Sequence, residues 1–143
     1  MTKYLNAKEY DILDMILHSE EPLNVSQILK LRPQFTSNIV QPVIRKLLKF
    51  KLIEVADITM DGNIFSRRFR VTESAPDTIR KMFQDDYIHF SKLVSGQSLM
   101  SAMVEANDNP GQVMEEISEL EKLLQEYKGK NHNSSKDKSK GES

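Results

Sequence analysis

Asn38, Gln41 and Arg45 stand three and four residues apart, with Thr36 and Ser37 just before them and Lys49 one turn beyond. On a helix such spacing places side chains on one stripe. The chemistry open to that stripe is hydrogen bonding to planar base edges and to oxyanions. Asn or Gln can pair with adenine through two hydrogen bonds, Arg with guanine, and Thr or Ser with phosphate. A second set lies in Phe65-Ser66-Arg67-Arg68-Phe69-Arg70-Val71. There Arg67 and Arg68 can reach phosphates or a narrow minor groove while the Phe residues fix the strand to the body. Each set has a plainer reading: a solvated polar helix face for the first, a charged edge strand that resists aggregation for the second.

Other chemistries lack their parts. The 143-residue chain has no cysteine, so it has no disulfide framework, thiolate metal site or cysteine nucleophile. His18, His89 and His132 are scattered and assemble no triad. Asp85, Asp86 and His89 share a helical segment but read as a solvated acidic face. Met82, Met100, Met103 and Met114 suit adaptable packing more readily than a ligand pocket. The reading is a non-enzymatic chain with no catalytic residues, metal or cofactor.

The polar stripe needs a helix, and the apolar pattern supplies one. Val40, Val43, Ile44, Leu47 and Leu48 form the opposite face, which must pack on other elements. Pro42 favours a helix start near Asn38 to Gln41, or else a distorted first turn. Two helices precede it. Asn6-Ala7-Lys8-Glu9 reads as a capping box ahead of Tyr10, Ile12, Leu13, Ile16 and Leu17, and Asn24 caps a short helix that stops before Arg32-Pro33. After Lys51 the period changes to that of strands, with Ile53, Val55 and Ile58 before Asp61-Gly62 and the Phe65 to Val71 run after it. Asp-Gly between two such runs is a hairpin signal.

Ser74-Ala75-Pro76-Asp77 starts a long helix to about Val94, Ser98 to Ala106 a shorter one, and Asn109-Pro110 a last one to about Tyr127. Ser95-Gly96-Gln97-Ser98 interrupts the apolar pattern, as a weak point for proteases or as a tight turn. From 129 to 143 there is no apolar residue to bury, and the composition predicts disorder.

Charge divides along the same line. From Lys30 to Arg70 nine Lys/Arg stand against three Asp/Glu, whereas from Ser74 to Lys128 five stand against ten. A segment able to neutralise phosphates is joined to one that phosphates repel. The expected fold is mainly α with a small β wing: a winged helix-turn-helix DNA-binding domain at 1–73, a helical dimerisation arm at 74–128 and a tail at 129–143. Ile79, Phe83, Phe90, Leu93, Leu99, Met103, Ile117, Leu120 and Leu124 are more apolar surface than separate helices can hide, and are expected to form the dimer. No apolar run is long enough for a membrane span, and Met1 to Tyr10 lacks an export signal, so a cytoplasmic location is expected.

Taken together, the N-terminal helix, Gln-Pro-Val-Ile-Arg-Lys-Leu-Leu-Lys-Phe-Lys-Leu-Ile at 41–53, the wing and the three-helix arm resemble the penicillinase-repressor family of winged-helix transcriptional repressors, over about residues 4 to 127. The resemblance implies a homodimeric repressor on an inverted-repeat operator in double-stranded DNA, relieved by a regulatory protease or another signal component. Where the family has an Asn-Phe cleavage bond this chain has Ala102-Met103, and Ile39 and Pro42 replace threonines of the reading helix. The copper-responsive branch, with its cysteine hook, is excluded. A winged-helix protein assembly module and a small-molecule-sensing regulator are the alternative readings.

Overall fold

A computed structural model describes residues 5–141, the side chains of 61 and 131–141 excepted. The first helix, α1 (Ala7–His18), opens on the expected capping box: the Asn6 side chain accepts the Glu9 N–H at 3.0 Å, and the Glu9 carboxylate accepts the Asn6 N–H at 2.7 Å. The second, α2 (Val25–Leu31), repeats the device with Asn24 and Gln27, both bonds 2.8 Å. These reciprocal bonds satisfy donors that a helix start otherwise leaves unpaired.

The third helix, α3 (Ser37–Lys49), starts earlier than Pro42 suggests, with Thr36 as its N-cap. The first turn is tightened: the Thr36 carbonyl accepts both the Ile39 and the Val40 N–H at 3.0 Å. Pro42 lies past that turn, so it has no N–H to offer the Asn38 carbonyl. Both residues are exposed, where water can take the donor's place.

At the other end of α3, Lys51 adopts a left-handed conformation with φ 60°. The Lys51 N–H bonds the Leu48 carbonyl and the Leu52 N–H bonds the Leu47 carbonyl, both at 3.0 Å. This is a Schellman ending, and the leucines at its two ends, 47 and 52, are both buried in the core.

The chain then forms a two-stranded antiparallel sheet, β1 (Ile53–Asp61) and β2 (Ile64–Val71). Gly62 supplies the positive φ, 67°, that the tight connection requires. Pairing runs from Ile53↔Val71 to Asp61↔Ile64, with a bulge between Val55 and Asp57. An isolated bridge joins Leu23, ahead of α2, to Phe69. Ile12, Ile16, Ile28, Val40, Ile44, Leu47, Leu52, Ile53 and Phe69 build one core from all three helices and the base of the hairpin.

Three further helices follow, α4 (Ala75–Phe90), α5 (Gly96–Glu105) and α6 (Pro110–Gly141). The chain divides into compact units at 1–88 and 89–143. That division falls within α4, of which Ala75 and Met82 are buried in the core of the first unit. Within the second unit Ser95 is the N-cap of α5, accepting the Ser98 N–H at 3.1 Å, so the Ser95 to Ser98 stretch is a capped helix start. The backbone of α6 stays helical to Gly141, through most of the stretch where disorder was expected from 129, and the last two residues lie outside the described ones. No proline follows Pro110, and nothing in the sequence forces the helix to stop where its apolar pattern ends. Together these elements are a mainly α fold with a small β wing.

Lys51 carries the left-handed strain that glycine avoids. Lys51→Gly is expected to raise unfolding free energy by about 0.5–1 kcal/mol, the strain relieved less the entropy glycine costs. Urea unfolding checks this, and a destabilised variant contradicts it.

Candidate nucleic-acid interface

The amphipathic pattern of α3 dictates which side chains it presents. Val40, Val43, Ile44 and Leu47 are buried, and Thr36, Ser37, Asn38, Gln41, Arg45 and Lys49 are exposed. Lys46 is drawn off the exposed stripe: its Nζ donates to the Glu9 carboxylate at 2.9 Å and lies 5.8 Å from the centre of the Phe50 ring. The interaction ties α3 to the start of α1. Thr36 makes no side-chain capping bond, so the first turn of α3 has two hydroxyls, those of Thr36 and Ser37, beside N–H groups that no side-chain cap covers. Helix starts of this kind favour anionic oxygens.

The hairpin brings a second set of groups to the same place. Ser37 and Gln41 share an open groove of about 330 Å³ with Val25, Ser26 and Leu29 of α2 and with Phe65, Ser66, Arg67 and Phe69 of β2. Of the residues expected to contact DNA, the structure therefore gathers Ser37, Gln41 and Arg67 around one groove. Arg45 and Lys49 continue the exposed stripe along α3.

Arg67 and Arg68 part company, because successive strand residues face opposite sides. The Arg67 guanidinium lies over the Phe69 ring at 5.4 Å and makes no ion pair among the described residues. Arg68 faces the other way, with its side chain only 21% exposed. It donates to both carboxylate oxygens of Asp57, through Nε at 2.6 Å and through Nη2, and lies 3.9 Å from Glu21. Arg70 pairs across the strands with Glu54 at 3.0 Å. The two phenylalanines also differ: Phe69 is 2% exposed and fixes the wing as expected, whereas Phe65 is 72% exposed and fixes nothing. The separation of Arg67 from Arg68 was legible in the alternation, since Phe65, Arg67 and Phe69 share one face.

No group of three or more His, Cys, Asp or Glu among the described residues is placed to hold a metal ion, and no helix among them is long and apolar enough to cross a membrane. His18 bonds Asp14 at the end of α1, far along the chain from His89, and the side chain of His132 lies outside the described residues.

No protein-family model matches the chain, and no curated protein matches its sequence. The architecture of helices and antiparallel hairpin is consistent with a winged-helix DNA-binding module in general, not with one repressor family.

The Arg68 guanidinium, bonded to Asp57, holds that carboxyl below its ordinary value of 3.8. Because the shift is downward, the pair contributes above the ordinary value and is lost as pH falls through the lowered one. Carboxyl NMR is expected to give Asp57 a midpoint below 3.8, and Arg68→Lys to move it upward by breaking the two-pronged contact. An unshifted midpoint contradicts the pairing.

Proposed function

We propose that the chain is a sequence-specific DNA-binding transcriptional repressor that acts as a homodimer on an inverted-repeat operator. The observation that carries this reading is the exposed polar stripe of α3, opposite its buried face, opening onto the groove that Arg67 shares. In helix-turn-helix proteins the residues that read bases lie on such a face near the N-terminus of the third helix. Asn38, Gln41 and Arg45 read base edges, and Thr36, Ser37 and Lys49 hold phosphates. The penicillinase-repressor resemblance belongs with this reading, as does release by a protease or another signal component.

Dimerisation is supported by apolar side chains left open in a single copy. Ile79 and Phe83 on the first unit, and Phe90, Leu93, Met103 and Leu124 on the second, are exposed, while Leu99, Ile117 and Leu120 are half-buried. Two reading helices must be held about 34–36 Å apart to meet successive half-sites. Loss of the dimer then weakens binding by a factor on the order of 10² to 10⁴, since each module binds alone. That loss is the proposed route of derepression.

The test is a titration of the full chain on a duplex selected from a random pool and on random duplex. Affinity for both is expected to fall steeply between about 50 and 200 mM salt, as counterion release requires. An apolar protein-assembly module gives a flat dependence and overturns the reading. Arg45→Ala is expected to cost about 1–3 kcal/mol on the selected duplex and far less on random duplex. Equal losses reassign Arg45 to phosphate. Leu93→Asp with Leu124→Asp is expected to sediment as a monomer where the parent is a dimer, and an unchanged dimer removes these residues from the interface.

A further inference from the structure

The outer half of the hairpin is unlike a phosphate clamp. Beyond the bulge, the side of the sheet that carries Arg67 also carries Ile58, Met60 and Phe65, cross-strand partners in the pairs Ile58↔Arg67 and Met60↔Phe65. These three apolar side chains are 61%, 60% and 72% exposed. The opposite side carries Asp57, Ile64 and Arg68. Among the described side chains the outer hairpin therefore separates its charges: one side holds three exposed apolar residues with a single cation and no acid, the other holds Arg68 already bonded to Asp57, beside the exposed Ile64. Phe65 and Arg67 also line the groove that reaches Ser37 and Gln41 of α3, so the apolar side is continuous with the candidate interface.

Resting on the DNA-binding reading above, we propose that the hairpin tip is an apolar wedge for the minor groove of duplex DNA. Phe65 and Met60 enter at a base step, Ile58 packs behind them, and Arg67 holds the flanking phosphate or groove edge. The charge pattern favours this occupant, because a side with no carboxylate among the described side chains and with a guanidinium that makes no ion pair among them complements a polyanion. Size favours it as well: a stable protein interface covers about 800 Å² on each partner, more than three side chains on a narrow ribbon supply. A minor groove about 6 Å wide admits side chains where it does not admit the ribbon itself. Apolar side chains inserted between base pairs unstack them and bend the duplex toward the major groove, where α3 lies. Pyrimidine–purine steps deform most easily, so the wedge adds sequence preference beside the half-site that α3 reads.

The experiment uses the full chain and the duplex selected from a random pool, with dyes at both ends to report bending and 2-aminopurine at a flanking TA or CA step to report unstacking. The parent is expected to bend the duplex and raise the 2-aminopurine signal. Phe65→Ser with Met60→Ser is expected to abolish both signals and weaken binding about tenfold, with an unchanged urea midpoint because both side chains are exposed. Phe65→Leu is expected to retain the bend, and Arg67→Ala to lower the salt slope by about 1. A parent that binds without bending or unstacking the duplex overturns the wedge and leaves the DNA-binding reading intact. A double variant that binds and bends like the parent does the same. A double variant that changes sedimentation while DNA bending persists assigns the tip to protein contact and also overturns the wedge. A parent that binds no duplex overturns both readings.

Discussion

Leu23 and Phe69 exchange two backbone hydrogen bonds, the Leu23 N–H to the Phe69 carbonyl at 3.1 Å and the Phe69 N–H to the Leu23 carbonyl at 2.8 Å. A two-stranded hairpin alone is marginal in water. Here the bridge adds a third short strand segment, and the Phe69 ring enters the core beside the leucines and isoleucines of α1 to α3. Everything the wing does relative to α3 depends on this join. Without it the groove shared by Gln41 and Arg67 has no fixed wall, and the two sets of polar side chains belong to bodies that move apart.

Charge is managed by pairing four of the nine cations between Lys30 and Arg70 with acids among the described residues. Lys46 is held by Glu9, Arg32 by Asp11, Arg68 by Asp57 and Arg70 by Glu54. The pairs near the surface add little stability. Their effect is to orient: each paired cation is tied to a fixed carboxylate, whereas Arg45, Lys49 and Arg67 make no ion pair among the described residues. The basic excess between Lys30 and Arg70 is thus narrower in space than in sequence.

Much of this architecture was legible because local rules and global packing agree. The boxes at Asn6 and Asn24, the apolar stripe of α3 and Asp61-Gly62 each mark an element end or face without help from elsewhere. The wing's division of labour was harder to read. Phe65 and Phe69 have the same residue type on the same face, and only the bridge to Leu23, a pairing distant in sequence, decides which of them is buried. Likewise Met82 looks like an arm residue until α4 packs back on the first core. The start of α3 was obscured by Pro42, whose cost falls on a solvent-exposed carbonyl and not on a buried one. The bulge did leave a trace: apolar residues of β1 occupy odd positions at 53 and 55 and even positions at 58 and 60, a change of phase that regular alternation does not make.

That change of phase divides the hairpin into two parts with separate obligations. Below Ala56 the strands answer to the core, where Ile53 and Phe69 admit little variation in volume. Above it the ribbon closes on its own turn and on the Asp57–Arg68 pair, and its apolar side chains are mostly exposed. Adding or removing two residues in each strand above the bulge alters reach while every side chain keeps its face, whereas a single residue inserted in one strand reverses those beyond it. The tip is therefore an exchangeable cassette on a base of fixed volume, whose length and composition can change while the body beneath keeps its packing unchanged.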